Sequence, residues 1–303
     1  MTDTFSGLTT LHSPLIKTNL YSNLKSWLEW SFLSLGEYSN EILSEEGSFG
    51  LDPSGTVLNN VSPTTYEGLG GSWVWQSGLT TPSGVDKPVI CSGIYINGDF
   101  VGSGDTGIYE HTLDFNKGRV IFKNNVSGYE VKAEYSWPHI NIQSADSESF
   151  RVVMEDLWSS YSDFDNKPNN NIPKNRRIYL PTIFIGIRNS SPTGFSLGGG
   201  KIFHHEIIMH VMADNPITRD QIVDALSYQS DRTIVLYNHG TAPQCFNFDG
   251  SLADGRLEYP QLKESYPWSR MRITDIKTVV PESQIGIYRG NVHFKTEVLM
   301  YGL

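Results

Sequence analysis

The sequence predicts an α+β fold: a mixed or antiparallel sheet with a few packing helices, plus an inserted small antiparallel β module. Three observations carry this prediction. Short runs rich in Val, Ile, Tyr and Phe alternate with clusters of Gly, Pro, Ser, Thr and Asn. A few stretches instead repeat apolar residues at spacings of three and four, the helical period. The C-terminal half reads strand, strand, helix, strand, strand, strand, an order suited to one sheet covered by helices. The 303 residues suffice for one large domain or two ordinary ones, and 12% aromatic residues mark a folded chain.

Residues 15–35 read as the first helix. Ser13 is its expected N-cap, Pro14 fits the first turn, and Gly36 ends it. Leu20, Leu24, Trp27, Leu28, Phe32 and Leu35 form its apolar stripe. From Glu37 to Lys87 the pattern becomes irregular, with a short strand expected over 72–76. Residues 88–143 read as hairpins. Asn97-Gly98 sits between strand residues, Asn116-Lys117-Gly118 makes a second turn, and Val131, Ala133, Tyr135 and Trp137 alternate onto one side. A helix is expected over 149–161, then strands at 178–189 and 202–213. Another helix follows, with Thr218 and Gln221 as a capping box and Ile217 and Ile222 as a hydrophobic staple. Three more strands close the chain. The expected division is 1–45 as a helix joining the core, 46–87 as a Gly/Ser-rich arm or linker, 88–143 as the inserted module and 144–303 as the α+β core.

The net charge of −10 argues against binding DNA through its phosphates, which requires Lys and Arg to displace counterions. Cys91 and Cys245 are too few and too separated for a disulfide framework or a C-x-x-C site, and point to a reducing compartment. The opening residues lack a signal-peptide pattern, and no apolar run is long enough to span a membrane. The expectation is a soluble protein assembled where it is made.

Residues 204–210, HHEIIMH, come near the H-E-x-x-H pattern of zinc proteases, but the second His falls one residue late. The segment alternates like a strand, which places His204, Glu206 and His210 on one face and His205 on the other. These three are the only metal-ligand candidates the sequence offers, and polar residues lining a strand are the ordinary alternative. Gly102, Gly104 and Gly107 match G-x-G-x-x-G, but a strand follows where a phosphate-binding helix is needed. Asp105-Thr106-Gly107 has no second copy to make a carboxylate dyad. Glu45-Glu46 and Asp163/Asp165 are acidic pairs with solvated loops as their default. No nucleophile elbow or phosphate loop is present. The expectation is therefore no catalytic residue, no cofactor and no enzyme activity.

Two stretches carry a family resemblance. Residues 92–137 read SGIYINGDFV, GIYEHTLDFNKGRVIF and VKAEYSW in succession. Residues 179–238 contain Leu180-Pro181 in a strand, Leu197-Gly198 in a turn, a long strand ending at Ala213, and Arg219-Asp220 opening a helix. The first resembles a β module of phage virion proteins. The second resembles tail terminator and neck proteins of the head–tail junction of tailed bacteriophages. The resemblance implies a virion subunit in a homo-oligomeric, six-fold ring. Its partners would be other neck or connector proteins and the tail tube or sheath. DNA would pass through an acidic lumen without specific binding, no membrane would be involved, and assembly would take place in the host cytoplasm. The apolar excess, including Trp27, Trp30, Trp73, Trp75 and Trp137, would suit obligate interfaces. The alternatives are a baseplate or tail-tube-associated subunit, or a receptor- or carbohydrate-binding module with aromatics gathered at a surface.

Overall fold

A computed structural model describes residues 16–43, 56–147, 150, 179–188, 192–194, 201–281 and 287–300. The fold is α+β and mostly strand. It divides into two compact units: a β unit, Trp30–His139 with Pro243–Glu258, and a sheet unit, Met1–Glu29 with Ile140–Ala242 and Tyr259–Leu303. The first helix, α1 (Ile16–Ser34), contributes residues to both. It ends as the sequence predicts. Gly36 has φ +88°, Gly36 N donates to Leu33 O at 3.0 Å, and Glu37 N donates to Phe32 O at 3.1 Å, a Schellman close. Leu20, Leu24, Trp27, Leu28 and Phe32 are buried, but Leu35, expected on the same stripe, is exposed because it lies beyond the last helical turn.

Among the described residues the β unit holds nine short strands: β1 (Tyr38–Glu41), β2 (Asn59–Ser62), β3 (Thr65–Glu67), β4 (Gly93–Ile96), β5 (Asp99–Gly102), β6 (His111–Asp114), β7 (Arg119–Phe122), β8 (Val131–Lys132) and β9 (Tyr135–Pro138). They pair as β1-β9, β2-β3-β7-β6 and β5-β4-β8. The Asn-Gly turn forms between β4 and β5, with positive φ at Asn97 and Gly98. Val131, Ala133 and Tyr135 are all buried, as their alternation predicts. The core centres on Trp73, stacked on Tyr135 at 4.7 Å and edge-on to Phe115 at 6.1 Å.

This unit is larger than the module expected over 88–143. The described part of the expected arm, 56–87, supplies Leu58, Tyr66, Trp73, Val74 and Leu79 to its cores. The strand expected at 72–76 is instead a bridging segment: Trp73 N donates to Phe115 O and Val74 N to Ser136 O, both at 2.8 Å. The distant segment 243–258 joins the same unit. Phe246 packs edge-on to Trp75, and the Glu258 carboxylate accepts from Ser77 N at 2.6 Å and Gly78 N at 3.1 Å. The tryptophans expected at interfaces are taken up by the chain itself. Trp27 and Trp73 are buried, and Trp30, Trp75 and Trp137 pack against the β unit's own cores.

The sheet unit contains β10 (Asn141–Ser144), β11 (Thr182–Arg188), β12 (Pro192–Gly194), β13 (Lys201–Ala213), β14 (Thr233–Tyr237), β15 (Pro267–Val279) and β16 (Tyr288–Met300), with α2 (Pro216–Ser227) and α3 (Tyr259–Ser265). The order is β10-β11-β13-β16-β15-β14, with β12 also paired to β13. Among the described strands only β10 and β11 run parallel, so the sheet is mixed. Ile207, Met209, Val211, Val292, Phe294 and Val298 are fully buried on its inner face. In β15 a bulge falls between Ile273 and Asp275. Strict alternation would turn Asp275 inward with Met271 and Ile273. The extra residue, Thr274, sends Asp275 outward and Ile276 inward.

Two details of helix placement depart from expectation. The cap of α2 is Asn215, not Thr218: Asn215 Oδ1 accepts from Thr218 N at 2.8 Å and Pro216 opens the helix, as a prolyl ring without an N–H suits that position. Ile217 is exposed and makes no staple. At the end of β14, α1 meets the strand with amides. Tyr237 N donates to Asn23 Oδ1 at 2.7 Å, Asn23 Nδ2 donates to Tyr237 O at 2.8 Å, and His239 N donates to Asn19 Oδ1 at 2.8 Å. Two buried asparagines thus satisfy main-chain groups of the outermost strand that would otherwise be an open edge. The short helix α3 was not expected. The helix expected over 149–161 lies outside the described residues except Phe150, as do Ser13, Pro14, Glu45, Glu46, Asp163, Asp165 and the Leu197-Gly198 turn.

Candidate functional site

The metal-ligand candidates lie on the outer face of the large sheet. His204, Glu206 and His210 share that face, and His205 points the other way and is buried. Sharing a face does not gather them, because alternate residues of a strand stand roughly 7 Å apart. Each has a different neighbour. Glu206 Oε1 is 3.1 Å from His293 Nδ1, and Glu206 Oε2 accepts from Arg188 Nη1 at 3.4 Å. His204 Nδ1 is 3.8 Å from Glu297 Oε1. His210 Nδ1 is 2.9 Å from Asn291 Oδ1, and its ring lies 5.0 Å from that of Phe150. Among the described residues, no group of three His, Cys, Asp or Glu side chains could hold a metal.

The electrostatics follow from these pairs. The hydrogen bond from His293 holds the Glu206 carboxyl below its ordinary value, and the Arg188 charge adds to it. Burial pushes the His210 imidazole down, so it favours the neutral form. Burial does the same to His205, outweighing the opposing interaction with the Arg188 main chain. Cys91 is buried, which pushes its thiol up to about 12 and leaves it a poor nucleophile at neutral pH.

The strand registers put a surplus of cations on this outer face. Arg188, Arg289 and Lys295 lie on β11 and β16, and Arg270, Arg272 and Lys277 on β15. Three carboxylates, Glu206, Asp275 and Glu297, share the face, so six positive charges against three leave +3. Lys295 Nζ reaches Asp275 Oδ2 at 2.9 Å, and Arg272 reaches Asp231 at 3.2 Å. The Lys295–Asp275 and Arg272–Asp231 pairs are exposed, and such pairs contribute little stability; elsewhere on the same face Phe184, Ile208 and Met212 are buried and Arg289 is half-buried.

The turn end of the β unit has the opposite character. Tyr109 and Tyr129 meet edge to face at 5.8 Å, and Phe100 leans on Tyr95 at 5.2 Å. Phe100, Ile108 and Tyr129 are 53%, 67% and 41% exposed. Asp99, Asp105, Glu110 and Glu130 belong to the same turns, with Asp99 close enough to act electrostatically on Tyr109; Lys123 pairs with Glu110 at 3.0 Å and Lys132 with Glu130 at 3.3 Å, so the local balance is −2. The glycines of the G-x-G-x-x-G match lie here, in the loop joining β5 to β6, with Gly102 N donating to Asp105 Oδ2 at 2.7 Å. Sequence reasoning singles out the Asn97-Gly98 turn, the glycines and Asp105 of this end, but not Phe100, Ile108, Tyr109 or Tyr129. A signal for it exists in the exposed position that a tight Asn-Gly turn gives to the adjoining Asp99-Phe100.

Charge divides sharply between the units. The β unit's residues comprise 16 Asp/Glu and 6 Lys/Arg, net −10, whereas the sheet unit's comprise 17 of each, net zero. No helix among the described residues is long and apolar enough to cross a membrane. Compared with known proteins, the chain matches no family model and no curated protein.

Proposed function

We propose that this chain is a structural subunit of a tailed-phage virion, a neck or tail-terminator protein that forms a six-fold ring at the head–tail junction and performs no catalysis. Its partners are further copies of itself, the neck or connector proteins and the tail tube or sheath. DNA passes through the lumen unbound, and assembly takes place in the host cytoplasm. The observation that carries this reading is the co-occurrence of two virion-like sequence patterns, each within one compact unit. Residues 92–137 cover β4 to β9 of the β unit, and residues 179–238 include β11, β13, α2 and β14 of the sheet unit. A scaffold with a charged sheet face and separately exposed apolar side chains suits packing against other subunits.

Light scattering and negative-stain imaging of the purified full chain test the reading. Closed rings of about six subunits are expected from the resemblance and from the closed symmetry common to oligomers. A second reading, a receptor- or carbohydrate-binding module, draws on the Tyr109–Tyr129 pair, in which Tyr129 is exposed and Tyr109 half-buried. A monomer that binds glycans, and loses them on Tyr129→Ala, would replace the ring reading with this one.

A further inference from the structure

Building on the assembly reading above, we infer that copies of this chain associate head to tail: the basic outer face of the large sheet in one copy receives the aromatic and acidic turn end of the β unit of the next. Two independent features support this contact. The first is charge. The sheet face carries +3, while at the turn end the four acids Asp99, Asp105, Glu110 and Glu130 outnumber the two lysines paired to them, Lys123 and Lys132, leaving −2 within a unit of net −10. Surfaces of opposite sign attract over about a Debye length, roughly 8 Å at physiological salt. The second is the kind of side chain presented. Phe100, Ile108 and Tyr129 stand exposed beside Asp99 and Glu130. Aromatic rings stack on guanidinium groups, and Arg270 and Arg272 are exposed on β15.

The turn end is prepared for such a contact. The β4–β5 turn is fixed by Asn97 and Gly98, and Gly102 N is held by Asp105. A rigid tip loses little conformational freedom on docking. The two surfaces differ, so the contact is heterologous and generates a ring when its rotation closes. The competing reading is that the charged sheet face is merely solvated and keeps the strands from aggregating. Under that reading its charges can be reversed without effect on association.

Two variants test the contact in the full-length chain. Arg270→Glu with Lys277→Glu reverses two exposed sheet charges; Asp99→Lys with Glu130→Lys reverses two on the turn end. Sedimentation velocity at low and high salt reads the association, and circular dichroism verifies folding. The wild-type chain is expected to associate at low salt and to weaken at least about tenfold at high salt, where screening shortens the attraction. Each variant alone loses at least about tenfold in association, while an equimolar mixture recovers it, because each reversed sheet then meets a reversed turn end. A wild-type chain that stays monomeric at low salt overturns the inference, as does association in either folded variant at the wild-type level, or a mixture that fails to recover. Loss of duplex-DNA binding in the sheet variant, with self-association unchanged, would assign the face to nucleic acid instead. Failure of the ring reading is separate: rescued association in open filaments would retain this contact and reject the closed ring.

Discussion

At the scale of single residues, the most consequential polar groups are those removed wholly or partly from solvent. Asn23 gives and takes a hydrogen bond with the main chain of Tyr237, and is itself fully buried. Asn23→Ala removes both partners at once, and each stranded buried group costs about 1–3 kcal/mol. A loss of about 2–4 kcal/mol in urea unfolding is expected, larger than for Asn19→Ala, which strands only His239 N. The buried histidines make a second prediction. Burial lowers the pKa of His111, His205 and His210 in the folded chain. Unfolded histidine titrates near about 6.5. Below that value the unfolded chain binds more protons than the folded one, so stability falls as pH drops from about 7 toward 5 and is flat above about 7. Thermal melting across this range checks the sign. His210→Gln should flatten the slope, and a melting temperature that rises on acidification would contradict the assignment.

At the scale of elements, the sequence was most readable where a local rule acts alone. The Gly36 close of α1, the Asn97-Gly98 turn and the Val131–Ala133–Tyr135 alternation each follow from a few neighbouring residues. The reading failed where two local rules compete. Thr218 with Gln221 fits a capping box, but Asn215 with Pro216 is also a start signal and lies earlier, so the helix begins there. Asn215→Ala should therefore cost about 1 kcal/mol, and Thr218→Ala only a few tenths, in chemical unfolding. The reading also failed where distant segments meet. Nothing local marks 243–258 as part of the β unit, yet Glu258 holds Ser77 and Gly78, and Phe115 N donates to Gly250 O at 3.0 Å. Gly250 has φ +85°, and an added Cβ would lie 2.0 Å from Asp114 Oδ1. The metal candidates show the same division: period-two alternation placed His204, Glu206 and His210 on one face, but only cross-strand register assigned each its separate neighbour.

At the scale of the whole molecule, the uneven division of charge has a thermodynamic consequence. Ten excess negative charges on the β unit repel one another in its compact state, whereas the sheet unit has none in excess. Salt screens this repulsion, with the Debye length falling from about 30 Å at 0.01 M to about 10 Å at 0.1 M. The β unit should therefore gain stability over that range while the sheet unit changes little. The two can be followed separately by backbone amide exchange, in β4, β6 and β7 for the β unit and in β13, β15 and β16 for the sheet unit. The β-unit transition is expected to rise by several degrees, since about 1 kcal/mol shifts the melting of a domain of about 100 residues by about 4–8 °C. Because α1 supplies Trp27 and Leu28 to one unit and Phe32 and Leu33 to the other, the helix joins the two units covalently. That link opposes a full separation of the transitions. An equal rise in both units would mean that coupling through α1 dominates, and no rise in either would mean that the β unit's carboxylates are spaced too widely to repel.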